Sequence, residues 1–295
     1  MDKSLHIVKA DELPVLRDWL AQYLPETFKL YSVVDETIRG RWQGTSFLTL
    51  GWPDILAVGE GPTSPEEIGC AQYFNEPPLA SVFSPSHEHL KRLLTSPGYL
   101  DWTKPILFHV FCSRIAPTIR EVSESRGGNP ERAYRHGLKL VVRPGDIPLL
   151  PVPDGFEART LDPDLHTDLI LSHWSHSREL AHLYIRENLK RFPSVGLFEK
   201  SGRCIAHEIV THYGTIGCLH VDEEYRRRGL GKVVTSIMTN HYFRQGHAAS
   251  CLILASNQLS LGMHTRMGFK VDGEADVYTH YIGNPEDNED ILNFG

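Results

Sequence analysis

A run of basic residues and glycines lies in the second half of the chain. The stretch reads EEYRRRGLGKVV at 223–234, and in it Arg226–Arg228 precede Gly229 and Gly231. Glycines let the backbone approach a ligand without an intervening Cβ, and arginines add positive charge. The formal net charge of the whole chain is −7, so the basic run is a local feature. It is typical of a site that binds a phosphate or pyrophosphate.

This stretch connects a predicted strand to a predicted helix. TIGCLHV at 215–221 has the composition of a strand, and KVVTSIMTNHYFRQG has apolar residues at helical spacing and ends at Gly246. The first amides of a helix have no intrahelical acceptor, and the helix dipole places partial positive charge at the same point. Backbone amides and arginines would therefore bind an anion together.

Two familiar phosphate-binding motifs do not fit this turn. A Walker loop needs Ser or Thr after Gly-Lys, but Val233 follows Lys232, and Arg226 stands in place of the first glycine. A dinucleotide fingerprint needs three glycines in GxGxxG, and only GxG is present. Arg226-x-x-Gly229-x-Gly231 matches instead the acyl-CoA-binding turn of the GNAT acyltransferase superfamily.

The neighbouring elements fit the same superfamily. Before the turn, 195–200 and 204–212 predict two strands in a series of short hairpins. After it, CLILA at 251–255 predicts a strand that is buried on both faces. Asn257 can cap a final helix, and Gly268-Phe269 begins another strand.

The resemblance extends to one family. LPETFKLYSVV, GWPDILAV, LLTSPGYLDW, RFPSVGLF and DEEYRRRGLG are similar, in the same order, to stretches of the glycine N-acyltransferase-like family, and the likeness covers 1–282. That family joins an N-terminal GNAT-like half, which lacks the CoA turn, to a C-terminal catalytic half. It transfers an acyl group from acyl-CoA to the amine of glycine or another amino acid. The resemblance implies an α/β protein with a GNAT fold in the C-terminal half and a degenerate GNAT-like α/β N-terminal half.

The resemblance also implies how acyl-CoA is bound. In the family, two splayed strands, which correspond to 215–221 and 251–255, admit the pantetheine arm, and backbone groups near Val221 bond to it. Acyl-CoA is expected as a cosubstrate, with no tightly bound cofactor. The predicted CoA-binding residues are Val221, Arg226, Arg227, Arg228, Gly229, Leu230, Gly231, Lys232 and Asn257.

The acid and base residues of the family have no direct counterparts here. The family and many GNAT enzymes place a Glu or His eleven residues before the motif arginine as general base, and Thr215 stands at that position. A threonine hydroxyl cannot deprotonate an ammonium group at neutral pH. Many GNAT enzymes also use a tyrosine to protonate the leaving thiolate, and His264 takes that position.

The predicted hairpin suggests a substitute base. If Tyr213-Gly214 forms a two-residue turn, Thr215 pairs with His212 and their side chains share one face of the sheet. Further along the same ladder Leu219 faces Glu208. His212 is the first candidate because an imidazole pKa near 6.5 suits proton transfer near neutral pH, and Glu208 is the second.

No metal site is predicted. The five cysteines are scattered without a CxxC pair, which gives little support to a disulfide framework or a zinc site. His220 lies on the face of its predicted strand opposite Glu208, and we interpret it as a structural histidine.

Length and composition predict two globular domains. The chain has 295 residues, 41 % of them hydrophobic and 23 % charged, which allows a packed core in each of two domains. Prolines at 141–160 indicate a linker, so we predict domains at 1–150 and 151–282 and a loose acidic tail at 283–295. In the N-terminal half the patterns at 11–24 and 85–102 predict helices, and those at 28–34, 54–60 and 106–111 predict strands.

Charge and hydropathy limit the partners. A pI of about 6.1 disfavours nucleic-acid binding through bulk charge, and no apolar run approaches the roughly 18 residues that span a bilayer. The N-terminus resembles neither a secretory nor a standard transit peptide. We expect an intracellular monomer, in the mitochondrial matrix or the cytoplasm, whose partners are an amine and acyl-CoA. Two alternatives remain open: an acetyltransferase for an arylalkylamine, polyamine or protein lysine, and a CoA-binding protein without transfer activity.

Overall fold

The computed structural model describes residues 5–174 and 179–292. Within these residues, no helix is both long enough and apolar enough to cross a membrane. The chain divides into two compact units. The first comprises Met1–Gly137, His176–Leu180 and Gly273–Gly295, and the second comprises Leu138–Ser175 and Ala181–Asp272.

This division differs from the predicted boundary near residue 150. Gly137–Val142 forms a strand in a sheet of the second unit, and Leu140 and Val142 on this strand are fully buried. The proline-rich segment that was predicted to link two domains therefore lies inside the second unit. At the other end of the chain, Gly273–Gly295 groups with the first unit.

The predicted acidic tail contains helical structure. Pro285–Asn288 forms a 3-10 helix, and Glu289–Leu292 forms a short α-helix. Pro285 and Leu292 are buried, which fixes this segment in spite of its acidic residues. The prediction of a loose tail is wrong for 283–292, and 293–295 lie outside the described residues.

The first unit contains two four-stranded sheets, with strand orders β1-β2-β3-β5 and β4-β6-β15-β7. Its strands are β1 (Leu5–Ile7), β2 (Thr45–Leu50), β3 (Ala57–Thr63), β4 (Leu79–Ala80), β5 (Val82–Phe83), β6 (Ile106–Phe111), β7 (Tyr134–Arg135) and β15 (Asp276–His280). Its α-helices are α1 (Leu13–Ala21), α2 (Phe28–Ile38), α3 (Ala71–Asn75), α4 (His87–Leu94), α5 (Ala116–Ser125) and α10 (Glu289–Leu292).

One element of the first unit differs in type from its prediction. Residues 28–34, predicted as a strand, form the beginning of α2. Leu30, Val33 and Val34 are buried at helical spacing, and this packing outweighs the strand preference of valine and tyrosine. The buried Lys29 on this helix donates from Nζ to Oε2 of Glu60 on β3 at 3.1 Å.

The second unit is built on a seven-stranded sheet with the order β14-β8-β13-β12-β11-β10-β9. Its strands are β8 (Gly137–Val142), β9 (Phe156–Arg159), β10 (Ser194–Glu199), β11 (Cys204–Val210), β12 (Ile216–Val221), β13 (Ala249–Leu254) and β14 (Lys270–Glu274). Its α-helices are α6 (Pro163–His173), α7 (Ala181–Arg191), α8 (Leu230–Arg244) and α9 (Gln258–Met267). The elements predicted between residues 195 and 270 are confirmed in type and order.

The burial of β13 differs from its prediction. The apolar run CLILA predicts a strand that is buried on both faces, but burial alternates along β13. Ala249, Cys251 and Ile253 are buried, whereas Leu252 and Leu254 are half-buried. One face of β13 is therefore partly open.

Candidate active site

The turn between β12 and α8 leads into a helix end that no side chain caps. The chain passes from β12 through a 3-10 turn at Glu223–Tyr225, and Gly229 then occupies the N-cap position with a φ of 81°. The first amides of α8 have no intrahelical acceptor. Together with the dipole of this 15-residue helix, they form a site that can bind an anion.

The two glycines of the turn have different environments. A Cβ added at Gly229 would meet nothing within 4 Å, so the space beside it is open to a ligand. A Cβ at Gly231 would lie 3.3 Å from Sδ of Met263 and 3.6 Å from Cγ2 of Val221. Gly231 therefore allows α8 to pack closely on β12 and α9, whereas Gly229 leaves room for an anion.

The three arginines are exposed around this helix end. Nε of Arg226 donates to the carbonyl oxygen of Val221 at 3.0 Å, so this side chain lies over the end of β12. The guanidinium of Arg228 lies 5.1 Å from the ring centroid of Tyr225, at the distance of a cation–π contact. Arg227 adopts a positive φ of 63°. These contacts hold positive charge beside the open end of α8.

β12 and β13 diverge directly beside this turn. The two strands pair in parallel at Ile216 and Cys251, and no further pair is registered between 217–221 and 252–254, all of which the structure describes. Residues 217–221 are half-buried along their whole length. The gap leads from the open end of α8 into the sheet.

A β-bulge interrupts the ladder between β11 and β12. His207 pairs with His220, but two residues further along β11 Ile209 pairs with Gly217. The extra residue of β12 lies at Cys218, which has a positive φ of 52°. Sequence reasoning missed this bulge because no glycine marks it. It leaves Glu208 opposite two residues of β12 instead of the single predicted partner.

The hairpin between β11 and β12 is one residue longer than predicted. The N–H of Thr211 donates to the carbonyl oxygen of Thr215 at 2.9 Å, and their two hydroxyl oxygens are also 2.9 Å apart. Thr215 therefore pairs with Thr211, and the predicted pair with His212 is wrong. A shift of one residue moves a side chain to the other face of a strand, so Thr215 does not share the face of Glu208.

His212 is buried in this loop and has an aromatic partner. It is 2 % exposed, and its Nδ1 lies 3.0 Å from the hydroxyl oxygen of Tyr184 on α7. The rings of Tyr184 and Tyr213 both meet the imidazole edge-on. A base at this position would exchange protons through the phenol of Tyr184.

Glu208 is a buried carboxyl group beneath α8. It is 1 % exposed, and the hydroxyl of Thr235 on α8 donates to its Oε1 at 3.3 Å. Its Oε2 has no hydrogen-bond partner among the described residues. Because burial disfavours the charged form, the pKa of Glu208 rises to about 8.

Glu208 lies close to the point at which β12 and β13 part. Burial first, and then the charge of Glu208, raise the pKa of Cys218 on β12 to about 12. The same two causes raise the pKa of Cys251, the residue of β13 that pairs with Ile216. The charge of Glu208 therefore contributes to the raised pKa of a thiol on each of the two diverging strands.

The protonation state of His264 on α9 does not suit the general acid that would protonate the leaving thiolate. It is 3 % exposed, and its Nδ1 lies 2.9 Å from the carbonyl oxygen of Ser260, so this nitrogen carries the proton of the neutral ring. Burial lowers the pKa of His264, which disfavours the imidazolium form. In this state Nε2 can accept a proton but cannot supply one to a thiolate.

Three other predicted CoA-binding residues lie on α8 or at the start of α9. Oδ1 of Asn257 accepts from the N–H of Ser260 at 3.1 Å, which confirms that Asn257 caps α9. Leu230 is 2 % exposed, so it can offer a ligand only its backbone. Lys232 is half-buried in the first turn of α8.

The sequence is similar to those of known proteins. The family model of FR47-like proteins matches residues 194–278. A mouse protein described as "Glycine N-acyltransferase-like protein" is 22 % identical over 249 residues, which are 77 % of this chain and 81 % of the mouse protein.

Solved structures match the chain over nearly its whole length. A Drosophila protein superimposes with a TM-score of 0.78 at 18 % identity, over 95 % of this chain and 99 % of that chain. A tandem GNAT protein from the clavulanic acid biosynthesis pathway superimposes with a TM-score of 0.54 at 13 % identity, over 95 % and 99 % of the two chains. The chain therefore has the GNAT fold in a two-half arrangement, and its sequence is similar to that of a glycine N-acyltransferase-like protein.

Proposed function

We propose that the chain transfers an acyl group from acyl-CoA to the amine of glycine or another small amino acid. GNAT-type acyl or acetyl transfer is the general activity that the fold and the relatives support. The observation that carries the proposal is the gap between β12 and β13, which begins at the uncapped end of α8. The choice of glycine rests on the similarity to the mouse protein.

The open end of α8 is suited to the pyrophosphate of CoA. The free amides and the space beside Gly229 would receive the phosphate oxygens, and Arg226, Arg227 and Arg228 would add positive charge. The pantetheine arm would then run between β12 and β13, where its amides can pair with the backbone of 217–221. The thioester would lie near the bulge at Cys218.

The reaction that fits this arrangement is direct attack on the thioester. The amine nitrogen forms a bond to the carbonyl carbon, and the bond from that carbon to sulfur breaks. The nitrogen loses a proton to a base, and the CoA thiolate takes up a proton from the acceptor or from solvent. Holding both reactants in the gap supplies the orientation that the step requires.

We assign the role of base to Glu208. Its Oε2 is without a hydrogen-bond partner among the described residues, and a pKa of about 8 suits the removal of a proton from an ammonium group. The first sequence candidate, His212, bonds to Tyr184 in the hairpin loop. Thr215 bonds to Thr211 and has no basic group.

One observation favours a second candidate, a CoA-binding protein without transfer activity. Thr215 occupies the position at which related enzymes carry their base, and its hydroxyl interacts with Thr211. If Glu208 keeps its proton in the presence of both substrates, acyl-CoA would bind without reacting.

An activity matrix tests the proposed function. Purified protein is assayed for thiol release with acetyl- and benzoyl-CoA against glycine, other amino acids, an arylalkylamine, a polyamine and a lysine peptide. We expect kcat/KM for glycine or another small amino acid to exceed that for the other amines at least tenfold. Preference for an arylalkylamine, polyamine or lysine would contradict the acceptor, and binding without thiol release from any pair would support the second candidate.

Substitution of Gly229 tests the pyrophosphate site. Gly229→Trp fills the open space at the end of α8, so we expect at least a tenfold loss of CoA affinity by calorimetry. Gly246→Trp is the matched control, because Gly246 has a φ of 77°, follows the other end of α8 and also has nothing within 4 Å of an added Cβ. If both variants lost the same CoA affinity, backbone strain would explain the effect, and the proposed pyrophosphate site would be contradicted.

Ionic strength tests the role of the arginines. Because Arg226, Arg227 and Arg228 are exposed, their attraction for CoA phosphates is screened by salt, and we expect the Kd of CoA to rise several-fold with ionic strength. Arg227→Gln should reduce this slope, whereas Arg244→Gln, which removes the same charge from the last turn of α8, should not. If the Kd of CoA does not change with salt, the arginines do not contribute to CoA binding through their charge.

The pH dependence of the reaction tests Glu208. A base acts only when deprotonated, so kcat/KM should rise with pH and level off above about 8, the pKa of Glu208. Glu208→Gln should lose on the order of 10²-fold at the plateau and lack this limb, with CoA affinity retained. If His212→Gln abolishes the rise of kcat/KM with pH and Glu208→Gln does not, the role of base passes to His212.

A further inference from the structure

Three histidines of the second unit lie in mutual contact beside the anion-binding turn. The rings of His173 on α6 and His220 on β12 stack with centroids 3.5 Å apart and planes 2° apart. Nδ1 of His173 lies 3.1 Å from Nε2 of His207 on β11. Oδ1 of Asp222 lies 3.4 Å from Nε2 of His220. One donor atom from each of His173, His220 and Asp222 can be chosen so that all three lie within 4.8 Å of one another.

We propose that His173, His220 and Asp222 bind a transition-metal ion of the Zn²⁺ class. Imidazole nitrogen and carboxylate oxygen are ligands of Zn²⁺ at about 2.0–2.2 Å, and tetrahedral bonds of that length separate the ligand atoms by about 3.4 Å. The distance between His220 and Asp222 is 3.4 Å, which already matches this separation. The stacked rings of His173 and His220 tilt on binding, which brings the remaining donor atoms, at most 4.8 Å apart, to the same spacing and aims their in-plane lone pairs at one ion.

Neighbouring groups contact the proposed ligands and restrict their orientations. His207 is 1 % exposed, and its Nε2 lies 3.1 Å from Nδ1 of His173. With the shared proton on Nδ1 of His173, the Nε2 of His173 would be the nitrogen left for the metal. Arg203 donates to Oδ2 of Asp222 at 2.5 Å, so Oδ1 remains directed at His220. Partners of this kind fix the tautomer and orientation of metal ligands.

The site is accessible from solvent. His173, His220 and Asp222 line a cavity of about 900 Å³, which gives an ion a path of entry. Three protein ligands leave a fourth position for water, as in open zinc sites. Glu223 and Glu224 also line the cavity, together with Arg203 and Arg226, and Arg203 pairs with Glu224 at 2.7 Å. The sequence predicts no metal site, because the three proposed ligands form no recognisable spacing motif.

Metal titration of the full chain tests this site without recourse to enzyme activity. Chelator-treated protein is titrated with Co²⁺, and we expect one ion with the intense visible absorption of a four-coordinate site, displaced by one equivalent of Zn²⁺. His173→Ala and His220→Ala should each weaken binding on the order of 100-fold. His207→Gln should weaken it about 10- to 100-fold, as the loss of a supporting group does.

Controls separate this site from the other histidines. Asp222→Asn keeps the side-chain volume and removes the charge, so it should fold normally and lose affinity. His247→Ala removes an exposed histidine of the same unit and should change nothing. Because lone pairs lie in the ring plane, Zn²⁺ should also tilt the stacked rings and shift their ¹⁵N resonances. Binding that persists in His173→Ala with His220→Ala, or wild-type affinity no higher than theirs, would overturn the proposal.

Discussion

The divergence of β12 from β13 is the constraint on which the rest of the second unit depends. Backbone N–H and C=O groups inside a sheet need partners, and the ladder between these strands registers a pair only at Ile216 and Cys251 among the described residues. The backbone groups of 217–221 that face β13, and not those that pair with β11, therefore need partners from water or from a ligand that carries amides of its own. The bulge at Cys218 and the uncapped end of α8 both lie along this open strand. The sheet is built to receive an extended, amide-containing ligand next to an anion site.

The burial of Glu208 is understandable only in relation to that gap. A side chain that merely filled space beneath α8 would be apolar, because a buried carboxyl group that lacks partners lowers the stability of the fold. Thr235 satisfies only Oε1, at 3.3 Å. Perturbed acids in such positions are common at functional sites, where proton affinity near neutral pH matters more than stability.

The sequence correctly predicted the helices and strands around the site, but it did not predict the pairing register of β11 and β12. β10 to β14, α8 and α9 follow from short apolar runs, turn glycines and the cap at Asn257, which are local signals. The loop at His212 and the bulge at Cys218 each add one residue to a ladder, and one residue is enough to change the face of a side chain. Local sequence patterns do not indicate such insertions, so the partner of Thr215 could not be predicted. In α2, the burial of Val33 and Val34 against the rest of the unit outweighs the strand preference of valine, so the segment is helical.

The bulge also explains how one strand can serve two sites. If the pairing of Ile209 with Gly217 continued without a shift, His220 would pair with Ala206 and share the face of Glu208, beneath α8. The extra residue instead pairs His220 with His207 and turns it to the face of α6, where it meets His173. The insertion that disturbs the backbone beside the gap therefore also assembles the histidine cluster. The candidate acyl-transfer site and the proposed metal site depend on the same local departure from regular pairing.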